Sequence, residues 1–137
     1  KQQIGKKVRL YHWGNAEVTF LNGANKRHNY TLTSFIENTQ FVDLCKIFTN
    51  TPIVVKGALS FKIKEVAKAM YKQGMIKTCW DQSSQVSDGF TAMLLASEYY
   101  KNIDDSKIEQ HNMVKTYNQI DCQVLWEILM YVRNNIK

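Results

Sequence analysis

The chain has 137 residues and a mass of 16.0 kDa, 45% of them hydrophobic and 12% aromatic, which suffices for one domain with a buried core and excludes a disordered or collagen-like chain. Eighteen Lys and Arg against twelve Asp and Glu give a net charge of +6, a lean towards polyanionic partners such as nucleic acid. No uninterrupted apolar stretch is longer than Ala92–Ala96, far short of the ~20 residues of a spanning helix, so no membrane partner is expected.

Val8 to Trp13 is short, aromatic and β-branched, and predicts a strand. Gly14 and Asn15 break it, and Asn15 is placed to cap a helix carrying Val18, Phe20, Leu21 and Ala24. Gln40 to Phe48 predicts a second strand with Asp43 inside it, followed by a turn over Thr49–Pro52. Ser60 is placed to cap a helix from Phe61 to Gln73, which Gly74 ends in the left-handed conformation. Lys64, Lys68 and Lys72 recur every four residues and so share a face of that helix. Ser87 or Asp88 caps the next helix, reaching about Tyr100, and polar loops are expected over Asp81–Ser87 and Lys101–Ser106. Met113, Tyr117, Ile120, Val124, Leu125, Ile128 and Val132 then recur at three- and four-residue steps, a long helix with a wide apolar face.

Strands interleaved with helices predict an α/β layered domain. No repeat or flexible linker divides residues 1–137, so a single domain is expected. The strands are few, and the first methionine is Met70. Both point to a polypeptide longer than this sequence, with part of its sheet upstream. Cys45, Cys79 and Cys122 are odd in number and form no C-x-x-C pair. They predict buried free thiols in a reducing intracellular compartment, cytoplasm or nucleus.

Asp121 stands out on chemical grounds alone. It follows Tyr117 by four residues, so both side chains leave one helix face. Its neighbours Ile120, Val124 and Leu125 are apolar. A carboxylate beside an apolar stripe is costly unless it is paired, hydrogen-bonded or bound to a cation. A structural ion pair with a lysine, or a reach to water at the stripe boundary, fits the pattern as well as a functional site does. Glu17 sits just beyond a predicted strand end, where ligands gather in α/β sheets, although an acid in a first helical turn also complements the helix dipole.

Together these segments resemble a known family. Tyr117-Asn118-Gln119-Ile120-Asp121, followed by Cys122 to Leu129, is similar to the Tyr-x-x-x-Asp motif of the tyrosine type of DEDD 3′–5′ exonucleases, the DnaQ-like branch of the RNase H-like fold. Tyr11-His12-Trp13-Gly14-Asn15-Ala16-Glu17 resembles the second motif of the YprB-like nucleases within that branch. Phe41-Val42-Asp43-Leu44, Leu59-Ser60-Phe61-Lys62-Ile63-Lys64 and Asp88-Gly89-Phe90-Thr91-Ala92-Met93 resemble further family segments, in the family's order and over most of the chain. The His of the other branch would stand at Thr116, which favours the tyrosine type. The first motif, Asp-x-Glu, has no counterpart before Tyr11, so the resemblance implies a domain truncated at its N-terminus.

The resemblance implies a metal-dependent nuclease that hydrolyses phosphodiester bonds in DNA or RNA. Two Mg²⁺ or Mn²⁺ ions about 3.5–4 Å apart would neutralise charge on the attacking and leaving oxygens. Glu17 and Asp121 would be the metal ligands present here, and Tyr117 would position the attacking water. Lys64, Lys68 and Lys72 would contact phosphates and Trp13 would stack on a base of a single-stranded end, although a solvated helix face is the more common explanation of such lysines and core packing of such aromatics. The remaining partner would be the rest of the parent polypeptide, and the isolated chain is expected to be nearly inactive. Two alternatives stand beside this reading: a non-catalytic RNase H-like module that binds nucleic acid or a protein, and a generic basic α/β interaction domain.

Overall fold

In a computed structural model of the chain, residues 8–80, 88–101 and 107–136 are described. Among them the protein is mixed α/β, with six helices and a two-stranded parallel sheet. The chain divides into two compact units, Lys1–Ala69 and Met70–Lys137.

In the first unit, β1 (Val8–His12) pairs in parallel with β2 (Thr39–Asp43), with Val8 opposite Thr39 and His12 opposite Asp43. Parallel pairing needs a crossover, and α1 (Ala16–Arg27) with α2 (Thr33–Glu37) supplies it. Gly14 makes the exit from β1 at φ +84°, a left-handed conformation that costs glycine nothing sterically. Asn15 occupies the cap position of α1, but its side chain makes no capping bond. Phe20 is 70% exposed, so the apolar side expected of α1 is not fully sunk.

The turn after α1 is held by a residue whose role the sequence does not advertise. Asn25 is buried. Its amide nitrogen donates to Thr33 Oγ1 at 3.1 Å, its side-chain oxygen accepts from Leu32 N at 2.8 Å, and its carbonyl accepts from Tyr30 N at 2.8 Å. These bonds hold Asn29 and Tyr30 at positive φ, 52° and 60°, where a bulky residue is disfavoured.

The expectation of a strand from Gln40 to Phe48 is corrected here. The strand ends at Asp43, and Leu44–Asn50 forms α3. Asp43 Oδ1 caps this helix by accepting from Lys46 N at 3.3 Å. Leu44 and Phe48, one helical turn apart, are 3% and 1% exposed. Burial of that i,i+4 pair together with the cap outweighs the β-propensity of the run.

Helix α4 covers Ile63–Lys72, shorter at both ends than the expected Phe61–Gln73. Ser60 Oγ accepts from Lys62 N at 3.3 Å, so the serine organises the turn ahead of the helix. Val66, Ala67, Ala69 and Met70 form its buried side. Gly74, at φ +69°, ends the helix as expected. Met75 N donates to Met70 O at 2.9 Å and Gly74 N to Tyr71 O at 3.0 Å, the paired bonds of a Schellman cap.

The second unit is built on α5 (Gly89–Lys101) and α6 (Ile108–Asn135). Asp88 caps α5, accepting from Thr91 N at 2.9 Å and Thr91 Oγ1 at 3.1 Å. Ser87 and the two predicted polar loops lie outside the described residues, except for Lys101, which ends α5. Tyr99 stacks on His111, and Ala92 packs with Val114 and Tyr117, so the two helices run antiparallel. Val124 and Ile128 are fully buried further along α6. No described helix is long and apolar enough to cross a membrane. The three cysteines are free. Cys45 and Cys79 are half-buried, whereas Cys122 is exposed, which corrects the expectation of buried thiols at that position.

Candidate functional site

The long apolar face of α6 sets where its polar residues lie. Tyr117 and Asp121 are one helical turn apart, as their spacing requires. Tyr117 is 8% exposed and packs into a cluster with Ala92 and Val114, against which Trp80, Leu95, Ala96 and Met113 also lie. Asp121, at the edge of this cluster, accepts the Trp80 indole N–H on Oδ1 at 2.7 Å. Of the partners open to a carboxylate beside an apolar stripe, this one is an indole.

Trp80 is delivered to Asp121 by a segment that α6 itself anchors. Glu127 accepts from Lys77 N at 2.7 Å, Thr78 N at 3.0 Å and Thr78 Oγ1 at 2.7 Å, and from Gln123 on its own helix at 3.0 Å. Burial alone would raise the Glu127 pKa, but these donors outweigh it and bring the group from 4.5 down to about 2. The carboxylate is therefore ionised at neutral pH and clips residues 77–78 to α6.

The Tyr117 hydroxyl is pushed the other way. Burial raises its pKa above the ordinary 10.0, and the charges of Asp121 and then Asp88 add to the effect, because a phenolate would repel both acids. Tyr117 is thus a protonated phenol, able to donate a hydrogen bond and unsuited to act as a base near neutrality. Asp88 and Asp121 both act electrostatically on Tyr117, and Trp80 packs against the Tyr117 cluster while donating to Asp121.

In the first unit, functional candidates gather at the carboxyl ends of the strands. His12 is buried, and its Nδ1–H donates to the Gly14 carbonyl. Gly14 N donates to Asp43 Oδ1 at 3.0 Å. Asp43 therefore joins the end of β1 to the start of α3. Glu17 is exposed in the first turn of α1. Trp13 donates its indole N–H to Phe61 O at 2.8 Å and lies 5.1 Å from the Phe48 ring. Along α4, Lys64 and Lys68 are half-buried and Lys72 is exposed. Cys45 donates to Phe61 O at 3.6 Å, and burial, then Asp43, raises its thiol pKa.

Tyr117 and Asp121 are thus brought together, whereas Glu17 lies in the first unit and Asp121 in the second. Among the described residues, no three His, Cys, Asp or Glu side chains are grouped so as to hold a metal ion. A hard divalent cation takes several oxygen ligands, and Asp121 already spends one oxygen on an indole. The described residues alone do not fit a two-metal centre.

No protein-family model matches the chain, and no curated protein or solved structure matches it. Two participants have roles that the pattern of the sequence does not signal. Glu127 follows Gln123 by four residues on the polar side of α6, a spacing that signals a local pair but not its distant donors. Trp80 lies 41 positions from Asp121, with no local signal joining them.

Proposed function

We propose that the chain is part of a nuclease domain of RNase H-like fold, acting on phosphodiester bonds of single-stranded DNA or RNA in an intracellular, reducing compartment. The observation that carries this reading is the Tyr117–Asp121 pair, one turn apart, with Asp121 oriented by Trp80. The ordered motifs from Tyr11 to Asp121 and the net charge of +6 support it. Tyr117, protonated and packed beside Asp121, would hold a water or phosphate oxygen as a donor. Asp121 and Glu17 would each be a candidate ligand for Mg²⁺ or Mn²⁺, with further ligands from the rest of the parent polypeptide, and the metal would supply charge neutralisation.

The deciding experiment is Mg²⁺-dependent degradation of a single-stranded oligonucleotide by the parent protein. Asp121→Asn should abolish cleavage, and Tyr117→Phe should slow it ~10²–10⁴-fold, the scale of a positioned proton donor. Both should keep their melting temperature within a few degrees. Wild-type cleavage by Asp121→Asn would end this reading.

A second reading is a non-catalytic module that binds nucleic acid or protein. It is favoured by the lack of a three-ligand group among the described residues and by the burial of Tyr117. It expects no cleavage from the wild-type parent under any divalent metal.

A further inference from the structure

The protein has three tryptophans, and two are satisfied. Trp13 donates to Phe61 O, and Trp80 donates to Asp121. Trp126 is 55% exposed, and among the described residues its indole makes no hydrogen bond and no ring contact. A large aromatic surface left in water on a well-packed helix costs hydrophobic stabilisation, and such surfaces mark binding sites when they line a groove.

Trp126 does line one. A groove of about 450 Å³ runs between α6 and the segment Met75–Lys77. Small-ligand sites span roughly 300–1,000 Å³, so one nucleoside fits. Trp126, Met130 and Asn134, spaced by four, form one row of its α6 wall. Lys77 stands on the opposite wall, beside Met75. That wall is held by two fixed devices: Met75 N closes the end of α4, and Lys77 N is bound by Glu127. The groove is therefore pre-formed, which spares a ligand the entropy of ordering it.

Its chemistry is an aromatic plate, a flexible thioether, an exposed amide and an exposed ammonium. We propose that this groove binds one unpaired nucleobase of a single-stranded nucleic acid, stacked on Trp126, with the adjacent phosphate at Lys77 and the base edge at the Asn134 amide. Base–aromatic stacking tolerates any sequence, because each base has a π-face. The Glu127 carboxylate on the groove wall does not compete for the site, because four protein donors already occupy it. The net charge of +6 suits a polyanionic strand better than an acyl chain or a neutral peptide. The inference rests on the nucleic-acid part of the proposed function but not on catalysis.

The test is equilibrium binding of fluorescently labelled twelve-nucleotide dT and dA strands to the 137-residue chain, with chelator present so that no cleavage occurs. Trp126→Ala should raise Kd roughly 5- to 150-fold, the range for loss of one stacked base. Trp126→Phe should restore most of the affinity. Lys77→Gln should lower the slope of log K against log salt by about 1. All three variants should melt with the wild type, since both side chains are largely exposed. Equal Kd for wild type and Trp126→Ala overturns the proposal, as does a wild-type chain that binds neither strand. Loss of self-association in Trp126→Ala, measured by sedimentation without any change in oligonucleotide Kd, also overturns it and makes the groove a surface between copies. The Asp121→Asn cleavage assay decides the nuclease reading independently of all these outcomes.

Discussion

The indole N–H of Trp80 and Oδ1 of Asp121 are 2.7 Å apart and join residues 41 positions distant in the sequence. A hydrogen bond to a charged acceptor contributes about 1.5–3 kcal/mol, more than a neutral one. Trp80→Phe keeps an aromatic ring in the Ala92–Val114–Tyr117 cluster but removes the donor. It should cost about 2 kcal/mol in urea denaturation. Asp121→Asn retains a side-chain oxygen for the indole and should cost less than half as much. If the two single variants and the double variant are strictly additive, the bond carries no coupling energy.

Tyr117 should ionise above the ordinary tyrosine range. Burial, then Asp121 and Asp88, all oppose its phenolate, so its titration lies above the ordinary value of 10.0. The difference between ultraviolet alkaline titrations of wild type and Tyr117→Phe isolates this group. The difference curve should be centred above pH 10 and shift downwards in Asp121→Asn, where one of the two charges is gone. A difference curve centred at or below 10 would remove the argument that Tyr117 is a donor only.

The end of β1 and the start of α3 depend on one carboxylate. Asp43 Oδ1 accepts from both Gly14 N and Lys46 N. Asp43→Ala loses a helix cap and strands the Gly14 amide, and should cost about 1–2 kcal/mol. Gly14→Ala tests the same corner without touching a bond. A Cβ there meets nothing within 4 Å, yet φ is +84°. Its cost should be about 1–2 kcal/mol from backbone conformation alone. Equal stability for Gly14→Ala and wild type would show that the corner relaxes.

What could be read from the sequence was local. The apolar face of α6, the Asp88 cap and the Gly74 terminus each depend on residues within one or two helical turns, and all appear where the spacing places them. The Tyr117–Asp121 pair was legible for the same reason. The end of β2 and the start of α3 are ambiguous in the sequence, because Phe41, Val42, Leu44, Ile47 and Phe48 satisfy a strand pattern as well as a helical one. The double use of Asp43, towards Gly14 and Lys46, and the burial of Leu44 and Phe48 one turn apart decide between them. The Asn25 turn, the Trp80 bond and the Glu127 clip all join residues brought near by packing, and no periodicity records such contacts.

The Glu127 clip makes the acid stability of the second unit predictable. The carboxylate titrates near 2 in the folded chain against 4.5 ordinarily. A depressed carboxylate contributes its stability above the unfolded pKa and loses it as pH falls through the folded one. The contribution should thus be complete above about pH 5 and should fade between there and pH 2. Glu127 is only half-buried, so solvent screening keeps the pH-linked part small. Glu127→Gln offers one accepting oxygen where two served Lys77 N, Thr78 N and Thr78 Oγ1, and it adds a donor facing donors. It should lower stability by about 1–3 kcal/mol at pH 7. The gap between variant and wild type should then narrow as the pH is brought down to 2.5, because the wild-type carboxylate begins to protonate there as well. Thermal melts of both proteins from pH 7 to pH 2.5 read this directly. A gap that stays constant over that range would mean that the clip is held by packing and owes nothing to the charge.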